Sequence, residues 1–291
     1  MPLIHEPVGD GLTRVWAVGD VRFHERTPYQ EVLIGTTAQG VSLFCDGERQ
    51  STEASQLVYH EALMVPALLL AERVRRVLVI GSSEGVASEL AVAAGASLVD
   101  HVDIDAQAVR ACAEHLPYGY TPADLARAER GEGAVRVSYA DGWAFLAAAG
   151  RRGETYDVVV IDLPDENAEA DAQHNRLYGT DFLARCARVL APGGVVTCQA
   201  GCPTLWRNET LRASWRRFGE VFASVLYFGS DEHEWAFLSG RADPVEDPGA
   251  LVARRFAERG STAATLDAEA LLGGCTPPHS LRRGGGAGPR S

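Results

Sequence analysis

From about residue 74 onwards, short apolar runs alternate with segments of helical periodicity, and this alternation limits the possible folds most. The runs RVLVIG, LVDHVDID, VRVSYADG, YDVVVIDL and GGVVTCQA are each followed by a helix-like segment. Strands that are apolar on both faces and joined by helices form a parallel sheet covered by helices on both sides. We therefore predict an α/β fold with a doubly wound, Rossmann-like sheet, whose ligand binds beyond the carboxyl ends of the strands.

The flanks of this region have a different character. Residues 12–50 contain short β-rich runs separated by turn signals such as GD, AQG and DGE, which is typical of antiparallel hairpins. We therefore predict a small N-terminal β-domain at residues 1–60, a helix crossed by Pro66, and a Rossmann-like domain at residues 61–240. Residues 241–291 are rich in Gly, Pro and Arg, so we predict one helix around residues 250–260 and otherwise disorder.

The charge of the chain restricts its partners. The 291 residues carry a net charge of −12, from 27 basic and 39 acidic residues, and the chain contains no lysine. An acidic chain is poorly suited to the phosphate backbone of a nucleic acid and favours cationic small molecules. The lack of lysine excludes a Schiff-base lysine and a P-loop lysine.

Location and metal content are predicted by what the sequence lacks. No apolar run approaches the roughly 20 residues of a membrane-spanning helix, and the N-terminus does not resemble a secretion signal. We therefore expect a cytoplasmic protein without a membrane partner. The six cysteines form no CxxC pair and have no histidine at zinc spacing, so we interpret them as reduced thiols and expect no metal site.

The first strand of the alternating region leads into the turn GSSEGV, which predicts a nucleoside site. Gly81 and Gly85 are its only glycines, and Glu84 puts a negative charge at a helix N-terminus, where a phosphate would otherwise bind. Asp103, at the end of the next strand, can accept the two hydroxyls of a ribose. Asp141, at the end of the third strand, suits the amine of an adenine. A nucleoside with a cationic tail fits this set best, namely S-adenosylmethionine or its decarboxylated form, although Glu84 could also serve only the helix dipole.

The fourth strand ends in DLPD, which places Asp162 and Asp165 at the same edge of the sheet. A pair of carboxylates can bind an alkylamine and take its proton, which matters because the pKa of such an amine is about 10. The alternative is that both acids cap the following segment.

At this point the chain resembles a known family. The motifs YHEAL, RVLVIGSSEG, VDID, ADGWAFL, YDVVVIDLPD and VLAPGGVVTCQAG occur in the order, and at roughly the spacing, of the spermidine synthase (polyamine aminopropyltransferase) family. The resemblance covers about residues 12–240, and the DLPD variant together with Trp235 is most similar to its bacterial branch. It implies a methyltransferase-type Rossmann-like domain behind a small β-domain, and a homodimer or homotetramer.

The resemblance also implies roles for single residues. The implied catalytic residues are Asp162, which accepts the proton, Asp165, which helps to hold the amine, and Tyr59. The implied cofactor-binding residues are Gln30, Gly81, Glu84, Gly85, Asp103 and Asp141. The implied substrate-binding residues are His60, Gln199 and Trp235.

Some positions depart from the family pattern. Ser55 and Gln56 replace an acidic pair, Gly201 stands where the family usually has a glutamate for the far amine, and GSDEHEW replaces an aromatic-proline-glycine run. Each lost charge-assisted hydrogen bond weakens the binding of a dication by about 1.5–3 kcal/mol. We therefore expect an aminopropyl-type transfer to an amine other than putrescine. The alternatives are a methyltransferase on the same scaffold and a nucleoside binder without catalysis.

Overall fold

The structure is a computed structural model that describes residues 1–9, 11–164, 166, 174–230, 232–259 and 263–284. Asp165 and most of the segment that follows it therefore lie outside the described residues. No helix in the described part of the chain is both long enough and apolar enough to cross a membrane.

The N-terminal part consists of two antiparallel sheets, as the hairpin signals predict. A hairpin is followed by a sheet of four consecutive strands, and the strands are β1 (Leu3–Gly9), β2 (Leu12–Ala17), β3 (Val21–Arg26), β4 (Glu31–Thr37), β5 (Gly40–Cys45) and β6 (Glu48–Thr52). Asp46 and Gly47 join β5 to β6 with positive φ angles of 49° and 82°, which the DG pair adopts readily. Val32 and Leu43 pack on Ala108 and Cys112, so this sheet rests on the helix after the second strand of the main domain.

The main domain is a seven-stranded sheet with helices on both faces. Its strands are β7 (Arg76–Gly81), β8 (Leu98–Asp103), β9 (Val135–Tyr139), β10 (Tyr156–Asp162), β11 (Leu190–Gln199), β12 (Ser224–Gly229) and β13 (Ala236–Arg241), in the order β12-β13-β11-β10-β7-β8-β9. The five strands from β7 to β11 are parallel, and β13 runs antiparallel to its neighbours. The predicted doubly wound sheet is confirmed.

The helices of the main domain follow the predicted periodicity. They are α1 (Gln56–Leu70), which contains Pro66, α2 (Val86–Ala93), α3 (Ala106–His115), α4 (Pro122–Glu129), α5 (Gly142–Arg151), α6 (Thr180–Arg188) and α7 (Glu209–Val221), with a short 3₁₀ helix at Asn175–Leu177. The side chains of α1 and α2 share one buried cluster with the sheet, and those of α5, α6 and α7 share the other. The sheet is therefore buried on both faces, as its apolar strands require.

The C-terminal region differs from its prediction. Besides α8 (Pro248–Arg259), which lies where one helix was predicted, the chain forms α9 (Ala268–Gly274) and α10 (His279–Gly284). Val252 and Leu271 are fully buried beside α1. The carboxylate of Glu61 accepts hydrogen bonds of 2.7 Å from the amides of Ala264 and Thr265. The expectation of disorder is wrong for these helices, because a few well-spaced apolar residues are enough to anchor them on the main domain.

Candidate active site

A cavity of about 530 Å³ opens at the carboxyl ends of β7, β8, β9 and β10. The turn after β7 forms one wall, and the ends of the other three strands continue it. The N-terminal sheet closes the cavity from the other side through residues of β5, β6 and the segment before β4. The cavity thus lies at the edge of the sheet where the sequence predicts a ligand site.

The cavity is strongly acidic. Its described lining includes no arginine, but it includes the carboxylates of Asp46, Glu48, Glu84, Asp103, Asp105, Asp141 and Asp162. A cleft lined by one sign of charge concentrates ligands of the opposite sign. The site is therefore built to receive a cation.

The turn after β7 is held against the neighbouring strand. Gly81 has a φ of 84°, and a Cβ there would lie 2.1 Å from the carbonyl oxygen of Asp162. The amide of Ser82 donates a hydrogen bond of 2.9 Å to the same oxygen, and Ser82 itself has a φ of 62°. Gly85 also has a positive φ, and a Cβ there would meet the ring of Tyr120 at 2.4 Å. Close packing and a positive φ angle thus favour glycine at residues 81 and 85.

Glu84 lies in the wall of the cavity with 7% of its surface exposed. Gly85 is the N-cap of α2 and provides no side-chain cap. Among the described residues, no donor forms a hydrogen bond or an ion pair with the Glu84 carboxylate. Capping therefore does not account for this acid, and a charge that faces a cavity without a partner is available to a cationic ligand.

Asp103 and Asp105 form a buried carboxylate pair at the end of β8. Asp103 accepts hydrogen bonds of 2.8 Å from the Ser83 hydroxyl and from the amide of Asp105. Burial raises the pKa of Asp103 to about 6, although these two hydrogen bonds oppose the shift. Asp105 caps α3 and accepts hydrogen bonds from the Thr27 hydroxyl (2.6 Å) and the Gln30 amide (3.1 Å).

The side chain of Gln30 is held by its hydrogen bond to Asp105. Both residues line the cavity, and the cofactor contact of Gln30 stays a prediction. The sequence analysis did not select Asp105. Its position predicts an N-cap of α3, and its contact with Thr27 in the N-terminal part cannot be read from the local sequence. The available signal was the second acid of VDID.

Asp141 lies at the cavity mouth and already has two partners. Its carboxylate caps α5 by accepting a hydrogen bond of 2.9 Å from the amide of Ala144, and it also pairs with Arg176. Arg176 belongs to the 3₁₀ helix at Asn175–Leu177. An adenine amine would thus meet a carboxylate whose position is fixed on both sides.

Tyr59 and Asp162 form the central pair of the site. The Tyr59 hydroxyl donates a hydrogen bond of 2.7 Å to Oδ1 of Asp162, and both residues line the cavity. His60 lies behind them: its Nδ1 donates to the carbonyl of Gln56 (2.7 Å), and its Nε2 lies 3.7 Å from Oδ2 of Asp162. A hydrogen-bonded carboxylate in the wall of an acidic cavity can orient an amine and accept its proton.

Three predicted substrate-binding residues lie outside the described cavity lining. His60 is buried behind Tyr59, and Gln199 accepts a hydrogen bond of 3.2 Å from the amide of Gly201. One face of the Trp235 ring is covered by the guanidinium of Arg49, 4.6 Å from the ring centroid. The structure thus separates these residues from the ones that contact the cavity.

The described residues contain no group of three His, Cys, Asp or Glu side chains that could hold a metal ion. All six cysteines are free thiols, and Cys45 and Cys112 are buried. Burial raises the pKa of both thiols well above the ordinary value. These cysteines therefore behave as core side chains.

The chain has an α/β fold of the doubly wound class with an acidic cavity at the carboxyl edge of its sheet. Comparison with known proteins identifies its family. The family model of the spermine/spermidine synthase domain matches residues 56–229. The chain is 36% identical over 285 residues to the polyamine aminopropyltransferase of Synechococcus sp. (strain JA-2-3B'a(2-13)), covering 92% of this chain and 87% of the relative. It is 31% identical over 274 residues to polyamine aminopropyltransferase 1 of Hyperthermus butylicus, covering 88% and 87%.

Solved structures show the same fold. A spermidine synthase from Thermotoga maritima superposes with a TM-score of 0.80 at 17% identity, covering 97% of this chain and 94% of that one. A spermidine synthase in complex with the transition state analogue AdoDATO gives a TM-score of 0.81 with the same identity and coverage. The chain belongs to the spermine/spermidine synthase family, which is a family of transferases, and the resemblance seen in its motifs is confirmed.

Proposed function

We propose that the protein transfers an aminopropyl group from decarboxylated S-adenosylmethionine to an amine. The observation that carries this proposal is the acidic cavity, which is lined by the Tyr59–Asp162 pair and by Glu84, a carboxylate without a partner among the described residues. The donor is a sulfonium with an ammonium tail, and the acceptor is an alkylammonium. Both reactants are cations that such a cavity attracts.

Different residues in the wall of the cavity bind different parts of the donor. Asp103 accepts hydrogen bonds from the two ribose hydroxyls, since its carboxylate is buried and held by Ser83. Gly81 and Ser83 of the close-packed turn line the cavity beside Asp103 and contact the nucleoside. Glu84 binds the ammonium of the aminopropyl tail. Asp141, fixed by its cap and by Arg176, lies at the adenine.

Asp162 acts on the acceptor. The amine loses a proton to the Asp162 carboxylate, and its nitrogen attacks the methylene next to the sulfonium. A C–N bond forms as the C–S bond breaks, and 5′-methylthioadenosine leaves with the electron pair. Holding two reactants in line provides most of the rate, since effective molarities of about 10⁵ M or more are reached in this way. Tyr59 keeps the Asp162 carboxylate in place through its hydrogen bond of 2.7 Å.

Glu84 favours the decarboxylated donor. S-Adenosylmethionine carries a carboxylate on the same tail, and Glu84 would repel it, whereas the decarboxylated form presents only the ammonium. We expect Glu84→Gln to weaken binding of the decarboxylated donor by about tenfold or more, as measured by calorimetry. Methylthioadenosine, which has no ammonium, serves as the matched control ligand, and its affinity should not change. An equal loss for both ligands would contradict this assignment.

The acceptor is an amine other than putrescine. Ser55, Gln56 and Gly201 carry no charge for a second ammonium. Glu234, which precedes Trp235, is already bound by Arg14, Arg49 and Arg207. These four positions thus provide no available carboxylate for a second ammonium of the acceptor.

Mass spectrometry of the released nucleoside tests the function. The purified protein receives decarboxylated S-adenosylmethionine or S-adenosylmethionine, each with a panel of monoamines, diamines and triamines. We expect methylthioadenosine from the decarboxylated donor, formed only when an acceptor is present, with putrescine among the poorer acceptors. Release of S-adenosylhomocysteine would instead show a methyltransferase, and no product from any pair would refute the proposal. The expected homodimer or homotetramer is a separate prediction that sedimentation can measure.

A further inference from the structure

A cluster of charged side chains lies behind the catalytic pair. Its members come from four distant segments of the chain and are Glu6, Arg14, Arg49, Arg207 and Glu234. Glu234 is its centre, with hydrogen bonds of 2.8 Å from two nitrogens of Arg14, 3.0 Å from Arg49 and 3.1 Å from Arg207. Burial opposes the charge of Glu234, yet these arginines lower its pKa. The cluster is therefore ionised and fixed.

Arg49 connects this cluster with the active site. Glu48 and Gln50, its neighbours in β6, line the cavity, whereas Arg49 does not. Side chains alternate along a strand, so Arg49 points to the opposite face. There its guanidinium lies over the ring of Trp235, 4.6 Å from the centroid.

The contacts continue from Trp235 to the catalytic acid. The rings of Trp235 and Tyr59 meet edge to face, with centroids 5.6 Å apart and planes at 90°. The Tyr59 hydroxyl then donates its hydrogen bond of 2.7 Å to Asp162. An unbroken series of contacts thus runs from Glu234 through Arg49, Trp235 and Tyr59 to Asp162.

Stability alone does not explain an arginine in this place. Arg49 is only 7% exposed, and its Nε has no hydrogen-bond partner among the described residues. Burial lowers the pKa of Arg49, against the influence of Glu6 and Glu234. Replacing a buried ion pair by apolar side chains is often neutral or stabilising. A cation over an indole face does, however, fix the position of the ring.

We propose that Arg49, held by Glu234, is a positioning residue for the Tyr59–Asp162 pair and acts through the ring of Trp235. The inference rests on the proposed function, because it concerns the acid that takes the acceptor's proton. Arg49 holds the Trp235 ring, the ring limits the motion of Tyr59, and Tyr59 keeps the Asp162 carboxylate in one orientation. A small displacement of a reacting group costs up to about 10²-fold in rate, so loss of this support lowers turnover.

The first test compares two arginines that bind the same glutamate. We expect Arg49→Met to lower kcat by about tenfold while the KM for the donor stays the same. Arg49→Lys keeps a cation for the ring and should restore kcat to within about threefold of the wild type. Arg14→Met is the matched control, because Arg14 also binds Glu234 but stacks on Trp16 instead of Trp235. Its kcat should stay unchanged, and equal losses for Arg14→Met and Arg49→Met would overturn the inference.

The second test asks whether Arg49 acts through Tyr59. In a Tyr59→Phe background, where the hydrogen bond to Asp162 is absent, Arg49→Met should cause no further loss of kcat. Losses that multiply would show that Arg49 acts by another route and would refute the positioning role.

A third measurement separates this inference from the proposed function. If the wild-type protein yields no product with any amine, the proposed function is refuted. The contacts between Arg49 and Tyr59 can then still be tested by the unfolding midpoints of a double-mutant cycle. The Tm losses of Arg49→Met and Tyr59→Leu should then be less than additive, whereas those of Arg14→Met and Tyr59→Leu should add. Additive losses for Arg49 and Tyr59 would overturn the inference.

Discussion

Two groups of charges in this molecule follow opposite rules. At the C-terminal end of α1, Glu72 binds Arg241 (3.1 Å) and Arg255 (2.8 Å), and Arg241 also binds Asp243. Hydrogen bonds from Arg255 and Arg241 lower the pKa of Glu72. In the cavity, by contrast, seven carboxylates are lined up without an arginine among the described lining residues. The first group matches each acid with a cation of the chain. In the second, Asp141 is paired with Arg176, but Glu84 has no cationic partner among the described residues and is available to a cationic ligand.

Replacing one acid from each group tests the comparison most strongly. Asp162→Asn should lower turnover by about 10²-fold or more, because the amide cannot accept the acceptor's proton. Donor affinity, measured by calorimetry, should be preserved. Asp243→Asn is the control: it removes a partner of Arg241 far from the cavity, so its kcat should equal that of the wild type. Full turnover in Asp162→Asn would remove Asp162 as the base.

Loss of a cation from the paired group should affect stability and not turnover. Arg255 donates to the carbonyls of Leu69, Leu70 and Ala71 at 2.9–3.1 Å and to the half-exposed Glu72. Because three carbonyls at the end of α1 lose their donor, Arg255→Met should lower the free energy of unfolding by about 2 kcal/mol, as measured by urea denaturation.

The neighbouring arginine provides the control for this prediction. Arg254 is exposed and binds only Glu258 within its own helix among the described residues. Arg254→Met should therefore change the free energy of unfolding by at most about 0.5 kcal/mol. Equal losses for the two variants would show that the paired group adds nothing specific.

The buried carboxylate of Asp103 should make donor binding depend on pH. The pKa of Asp103 is raised to about 6, so the carboxylate is ionised at pH 7.5 and mostly protonated at pH 5. Protonation removes one of the acceptors for the ribose hydroxyls, so the affinity for methylthioadenosine should fall by about tenfold over that range. In Asp103→Asn the affinity should be low at both pH values. A wild-type affinity that is constant down to pH 5 would contradict the assignment.

The smallest effect concerns the turn after β7 in the wall of the cavity. Ser82 has a φ of 62°, and its buried hydroxyl has no partner among the described residues. Ser82→Gly should raise the free energy of unfolding by about 0.5 kcal/mol, because a non-glycine residue is strained in this region. Ser83→Gly is the control and should be destabilising, since it loses the hydrogen bond to Asp103. A loss of stability in Ser82→Gly would show that this serine makes an unrecognised contact.

The sequence was a good guide wherever function depends on the ends of strands. The apolar runs located β7, β8, β9 and β10, and the acids that follow them, Asp103, Asp141 and Asp162, all line the cavity. The carboxyl ends of parallel strands lie at one edge of the sheet. Predicting which segments are strands was therefore enough to place these acids together.

Contacts between distant segments could not be predicted in this way. Arg49 covers a face of Trp235, a residue 186 positions later in the chain. A pattern of neighbouring residues cannot predict a contact between such distant positions. Asp105 caps α3 and also binds Thr27 of the other domain. The C-terminal helices were missed because their buried residues, such as Leu271, are few and stand in a segment of low complexity.

The approach of Gly81 to Asp162 has a consequence for protein engineering. A side chain at residue 81 would collide with the backbone of Asp162, at 2.1 Å from its carbonyl oxygen. The turn after β7 and the strand that carries Asp162 therefore cannot be varied independently. A library designed to change the acceptor should hold residues 81 and 162 constant. It should randomise the strand opposite, at Glu48 and Gln50, where the cavity wall belongs to a separate sheet.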